Sequence, residues 1–315
     1  MKNFKPGLGF WGLPLFLLAV SCTSDSGNGN PSTGSSAGSF QVSLVEPTAI
    51  TPGYTTVLGK VYTGPTPSSI IWKEVGSSGS CRLFTPRAPF CEKGCGSDST
   101  CVEDNKCQVF PKSIGVGKVG VKGLKAKSGA TTFSMDPILN SYQQPGTIQL
   151  EFPPSAEGDE ITFSAAGDTS VPAFTVSAPG ISPLVVLADS FTFVAGKPIT
   201  LEWTPPKNAG ASRVSVLVDL SHHGGTKGKI ECEGPDNGKL EIPATLANDL
   251  KALGISGFPK IEIARKSTGT NAKVHVDLVI QAMLTKALSI PGLISCNDEN
   301  PCPSGQTCQR DLRCQ

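Results

Sequence analysis

Eleven cysteines and three histidines are the residues of this 315-residue chain best suited to chemistry, and their spacing decides which chemistry. Thiols in such number point to an oxidising compartment, since a reducing one would leave them reactive. Cys91 and Cys95 have the spacing of one arm of a zinc site, but the other intervals within the two clusters are five residues and no His follows at finger spacing. Disulfides are therefore expected, with no metal and no cofactor. A Ser–His–Asp site needs a packed His, and strand alternation would send His222 inward and His223 outward, while His275 sits beside Asp277 off its strand's apolar face. No catalytic residue is assigned, and the chain is read as not being an enzyme. Asp219 with His223, at a strand end before Gly224 and Gly225, is kept as the candidate for a weak metal or ligand contact.

Two glycine patterns carry less. Gly115, Gly117 and Gly120 satisfy the dinucleotide pattern, but no helix start follows to hold a phosphate, and the switch of apolar parity between Val116 and Val119 marks a β-bulge. Gly34 to Gly38 matches a nucleophile elbow inside a Gly/Ser-rich stretch, where the strained strand-to-helix turn that it requires is not expected.

An internal repeat organises the cysteines. Residues 95–108 align without gaps on 302–315 at seven of fourteen positions, mapping Cys95, Cys101 and Cys107 onto Cys302, Cys308 and Cys314. By analogy Cys91 completes one set of four and Cys296 the other, and Cys81 and Cys232 are left over. A leftover pair in an oxidising compartment is expected to join, although Cys232 shares an inward parity with Ile230 and a buried free thiol is the alternative. The modules resemble the small cysteine-rich repeats of secreted proteins, stapled because they lack a core.

The first 21 residues have the charged start (Lys2, Lys5) and the apolar run (Phe10 to Val20) of a signal peptide. The run ends Leu18-Ala19-Val20-Ser21-Cys22, which resembles the lipobox of bacterial lipoproteins. The resemblance implies that Cys22 is acylated (palmitate among its lipids) and becomes the first mature residue, leaving ten of the eleven cysteines for pairing. Thr23 in place of Asp implies the outer membrane, with the body on its periplasmic or cell-surface face. Residues 22–39 are small and polar and are read as a flexible tether with a reach of roughly 20 to 25 Å.

These residues must be carried by strands. With 35 Gly and 26 Pro, 17% charged and 6% aromatic residues, the composition opposes helical bundles and favours an all-β chain. Short alternating runs recur from Phe40: Ile199, Leu201 and Trp203 share one face, as do Val214, Val216, Val218 and Leu220, and Val274, Val276, Leu278 and Ile280. The segment Leu201 to Pro206 is similar to the start of immunoglobulin-like and fibronectin III-like domains, which implies two β-sandwich-like domains. They are drawn at 40–189, with a cysteine-rich insertion at 81–110, and at 190–292, followed by a C-terminal cysteine module at 293–315. One helix is expected at 243–253, from Pro243 to the stop at Gly254, with Leu246, Leu250 and Leu253 along its stripe.

The charge balance is near neutral, 27 basic against 26 acidic groups, which argues against nucleic acid as a partner. Lys112, Lys118, Lys122, Lys125 and Lys127 form a basic run that is read as a solvated sheet edge blocking aggregation, ahead of a phosphate or polysaccharide contact. Together these features resemble an uncharacterised family of bacterial surface lipoproteins. The implied role is non-enzymatic binding or structure at the cell surface, with the membrane, and a polysaccharide or protein, as partners. An exported hydrolase or its accessory subunit, and a protease-inhibitor-like module, are the rival classes.

Overall fold

The structure, a computed structural model, describes residues 37–208 and 210–315. The expected signal peptide, Cys22 and the tether up to residue 36 lie outside the described residues. In chain order the elements are β1 (Gly38–Val45), β2 (Tyr54–Tyr62), β3 (Ile71–Ser78), β4 (Cys81–Arg87), β5 (Ser99–Glu103), β6 (Lys106–Val109) and β7 (Ser113–Ile114). There follow β8 (Val119–Lys122), β9 (Thr132–Met135), β10 (Ser141–Gln143), β11 (Glu160–Ala165), β12 (Phe174–Pro179), β13 (Phe191–Thr192) and β14 (Ile199–Glu202). The last are β15 (Arg213–Asp219), β16 (Lys229–Pro235), β17 (Lys239–Ile242), helix α1 (Ala244–Leu253), β18 (Lys260–Asn271) and β19 (Val276–Ser289). The protein is all-β, with α1 the one α-helix among the described residues.

One large sheet runs β10-β2-β1-β19-β18-β15-β16-β4-β3, with β7 added on β2 and β13 on β19. Its period-two alternation puts Phe40, Val42 and Leu44 of β1, Val276, Leu278, Ile280 and Ala282 of β19, and Val214, Val216 and Val218 of β15 into the core. The register lines these up, Val42 opposite Ile280 and Val216 opposite Ile263, so one face is apolar across the sheet. Each such side chain contributes about 1.5–3 kcal/mol on burial. The other face carries Gln41, Ser43, Gln281 and Lys266, all half-buried.

The apolar face is covered in two pieces. A four-stranded sheet, β12-β11-β8-β9, lies over the β1, β19 and β18 half, where Phe163 meets Phe40 at 5.4 Å between ring centroids. Beside β12, the Ser267 Oγ donates to Pro179 O at 2.5 Å and Asn271 Nδ2 to Thr175 O at 3.0 Å. Gly269 permits this approach, because a Cβ there would stand 1.7 Å from Ser177 O. The second cover is the β14–β17 ladder with α1, which bring Leu201, Trp203, Leu240, Ile242, Leu246 and Leu250 into the same core. Helix α1 matches the expected span, but Leu253 at the end of the predicted stripe is 37% exposed.

Because β1 and β2 join β19 while β4 joins β16, the large sheet draws strands from both sides of residue 189. The division at 189/190 expected from the sequence therefore does not separate two sheets. Two further boundaries shift. Gly38 and Ser39, assigned to the tether, already pair with Val61 and Lys60 in β2. Cys81 to Arg87 form β4, so the cysteine-rich insertion drawn at 81–110 begins only after Arg87.

Chain length also bends the sheet. From β2 to β3 there are seven strand spacings, about 34 Å if flat, whereas the nine Cα steps from Tyr62 to Ile71 reach at most about 32 Å. The sheet therefore twists and does not run flat from β2 to β3. The first cysteine module makes a second connection between these ends of the sheet: β4 leads into it, β7 leads out onto β2, and Gln108 Nε2 donates to Pro65 O at 2.9 Å.

Candidate functional site

The Asp219 end of β15 brings together the expected acid, the adjacent histidines and the C-terminal module. The strand stops at Asp219, whose Oδ1 accepts from Ser221 N at 2.8 Å and Ser221 Oγ at 3.1 Å, turning the chain out of the sheet. The histidines thus lie in a turn and do not alternate across a strand. His222, not His223, approaches the acid, with Nδ1 3.7 Å from Asp219 Oδ2. His223, at φ 63°, folds back to stack on His222 with ring centroids 3.8 Å apart. His222 therefore joins Asp219 and His223, the candidates for a weak metal or ligand contact, in one cluster.

The surroundings are charged. Lys260 stands opposite Asp219 across the β15–β18 pair and its Nζ meets Glu262 at 2.6 Å, while Lys229 meets Glu231 at 2.5 Å on the other side of β15. Lys229 also sits 4.0 Å over the Trp72 ring. Burial lowers the pKa of His222, and the Lys260 ammonium and His223 add to this against the pull of Asp219 and Glu262. The arrangement favours a neutral imidazole able to accept a hydrogen bond.

Two loops fasten the C-terminal module here. Phe258 N donates to His222 O at 2.8 Å, Ser256 Oγ to Gly224 O at 3.0 Å, and Gly257 N to Asp311 O at 2.8 Å. Ser295 Oγ returns a bond to Gly257 O at 2.5 Å. Asp311 is held below the usual carboxylate range by its hydrogen bond from Arg313, whose Nη2 lies 2.6 Å from Oδ2.

The ten described cysteines form five disulfides. Cys81–Cys232 joins directly opposed residues of β4 and β16. Cys91–Cys101 and Cys95–Cys107 close the first module, and Cys296–Cys308 and Cys302–Cys314 the second. The repeat therefore has one connectivity, first to third and second to fourth.

Other expected features have definite places. At Gly117 the φ is 72° and a Cβ would come 2.3 Å from Gly167 O, so the chain slips between β7 and β8 with no helix following. The lysine run is not on an edge: β8 lies between β9 and β11, Lys118 pairs with Asp136 at 3.4 Å and Lys125 with Glu151 at 3.1 Å. Lys125 and Glu151 line a groove of about 610 Å³ with Gly123, Pro153, Asp159 and Glu160.

One buried network had only a weak signal in the sequence. Arg265, 1% exposed, donates through Nε and Nη2 to Asp236 at 2.5 and 3.1 Å, through Nη2 to Thr204 O, and through Nη1 to Ser182 Oγ and Pro183 O. Asp236 also accepts from Trp203 Nε1 at 2.6 Å and Ser212 Oγ at 2.7 Å. A charged residue on an alternating strand is read as surface by default, and only the inward parity of Arg265 on β18 hints otherwise; Asp236 lies just past the end of β16. No family model and no curated protein matches the chain.

Proposed function

We propose that the protein is a non-enzymatic lipoprotein of the outer membrane, held through acylated Cys22 and the segment after it, that presents its C-terminal cysteine module as a binding surface. One observation carries the reading. β1 begins at Gly38 beside Val276, the first residue of β19, and the two strands run parallel. β19 then continues to Ser289, about 43 Å further along the strand, before the chain passes into the C-terminal module. The segment leading from Cys22 and the module thus attach to opposite ends of one long strand, and a body anchored at the first end holds the second away from the bilayer. Five disulfides suit a compartment outside the cytoplasm, and the fastening of the module by Gly257 and Ser295 keeps it oriented.

Membrane fractionation of Cys22→Ala tests the anchor. Two or more acyl chains give stable attachment, so the variant is expected in the soluble fraction, and continued sedimentation with membranes would refute the anchored reading. A glycan array and cell-surface cross-linking with the full mature chain test the binding role; turnover of substrate in an activity screen would replace it with the hydrolase reading.

A further inference from the structure

The two modules share an arrangement of sulfurs that stapling alone does not require. The crossed connectivity lays the two disulfides of each module against one another. Sγ of Cys91, Cys95 and Cys101 all lie within 4.8 Å of one another, and so do Sγ of Cys296, Cys302 and Cys308. These triples are equivalent positions of the two modules, the first three cysteines of each. The fourth sulfur of each module, Cys107 or Cys314, is covalently joined to a member of the triple. Four sulfurs per module are thus gathered in one place. A tetrathiolate zinc site has Zn–S distances of about 2.3 Å, hence sulfurs about 3.8 Å apart, so the modules approach this spacing before any metal arrives.

Accessibility separates seven of these eight cysteines from the fifth pair. Cys107 and Cys308 are exposed and Cys91, Cys95, Cys101, Cys302 and Cys314 half-buried, whereas Cys81 and Cys232 are 1% and 2% exposed within the core, and Cys296, at 0%, is reached through its exposed partner Cys308. A reductant in solution meets the modules first. The modules have little apolar core of their own, so once reduced they need another cross-link to keep their fold.

We propose that each cysteine module is a redox-gated site for a soft divalent cation of the zinc class. Oxidised, it is a staple of two disulfides. Reduced, Cys91, Cys95, Cys101 and Cys107 in one module, and Cys296, Cys302, Cys308 and Cys314 in the other, supply four thiolates to one cation. Reduction of a module takes four electrons and four protons from two molecules of a dithiol reductant, which leave as two disulfides. The cation then displaces the thiol protons to solvent as the sulfurs coordinate. The module keeps a cross-linked fold in both redox states, and its surface becomes responsive to reductant and metal together.

The test uses the full mature chain, reduced anaerobically with a dithiol, desalted, and titrated with Cd²⁺ as the probe, followed by the sulfur-to-cadmium charge-transfer absorption. Two cadmium ions per chain are expected, one per module. The paired substitution Cys95→Ser with Cys107→Ser should lower this to one, Cys302→Ser with Cys314→Ser likewise, and all four together to none, with Zn²⁺ competing at each stage. Peptide mapping should show Cys81–Cys232 still oxidised, and unchanged Trp203 fluorescence should show the sandwich intact. No charge-transfer band in the reduced chain, or a band that persists when both pairs are replaced, would overturn the proposal. The result is independent of the membrane anchor.

Discussion

Single side chains set the interior of this protein, and the Arg265–Asp236 pair is the most consequential of them. All five guanidinium N–H groups have acceptors, and both carboxylate oxygens accept, so the cost of desolvating the pair is offset by a closed set of bonds. Asp236→Asn should therefore cost about 3–5 kcal/mol in a urea titration, because it leaves the Arg265 charge buried without its counterion. Replacing both, Arg265→Met with Asp236→Leu, should cost less than the sum of the single changes. Trp203, 1% exposed, adds volume to the same place, and Trp203→Ala should lower stability by about 3–5 kcal/mol; an unchanged midpoint would refute its core role. His222 contributes a pH dependence. Its folded pKa lies below the ordinary 6.5, so between the two values the unfolded chain binds more protons and stability falls as pH falls through about 6.5. His222→Gln should flatten that slope in denaturation midpoints measured at stepwise lower pH.

Elements are held by close backbone approaches that only glycine allows. Gly257 has φ 56°, and a Cβ on it would stand 1.9 Å from His222 O, in the loop that ties the C-terminal module to the His222 turn. Gly257→Ala should displace the module while the sandwich stays folded, read as faster hydrogen exchange and proteolysis confined to residues 293–315 and the 221–228 turn. Global unfolding at the wild-type midpoint with no local change would show that the loop tolerates the side chain. The lysine run has a different place: Lys118 and Lys125 flank β8, an interior strand that ends in Lys122, and are matched by Asp136 and Glu151. Protection of the sheet edge falls instead to β3, where the register shifts between Glu74 and Gly76 and Lys73 and Glu74 put charge on the strand.

At the scale of the whole molecule, the cross-link between Cys81 and Cys232 spans 151 residues of sequence yet joins neighbouring strands. Its contribution lies mainly in the unfolded chain, and in the chain-entropy model closing such a loop is worth about 5 kcal/mol. Replacing both with Ala should lower the midpoint substantially while leaving the folded sheet order unchanged, which hydrogen exchange across β4 and β16 would report. The bond thus reinforces one continuous sheet and does not tether two separate bodies.

Period-two alternation read directly which residues face the core: Ile199, Leu201 and Trp203, and Val214, Val216 and Val218, are all buried, because side-chain direction in a strand is a local property. Cysteine spacing likewise separated two sets of four from the pair Cys81 and Cys232, since repeats and covalent chemistry leave their mark in the chain order. What the sequence could not determine was adjacency. The backbone ladder is the same for any two strands, so nothing in residues 38–45 announces that their partner is 276–289, and a boundary drawn from chain order cuts through a shared sheet. The burial of Arg265 on Asp236 and its bonds to Ser182, Pro183 and Thr204 belong to the same class. Each depends on contacts between segments far apart in sequence, which only the folded packing brings within hydrogen-bond reach.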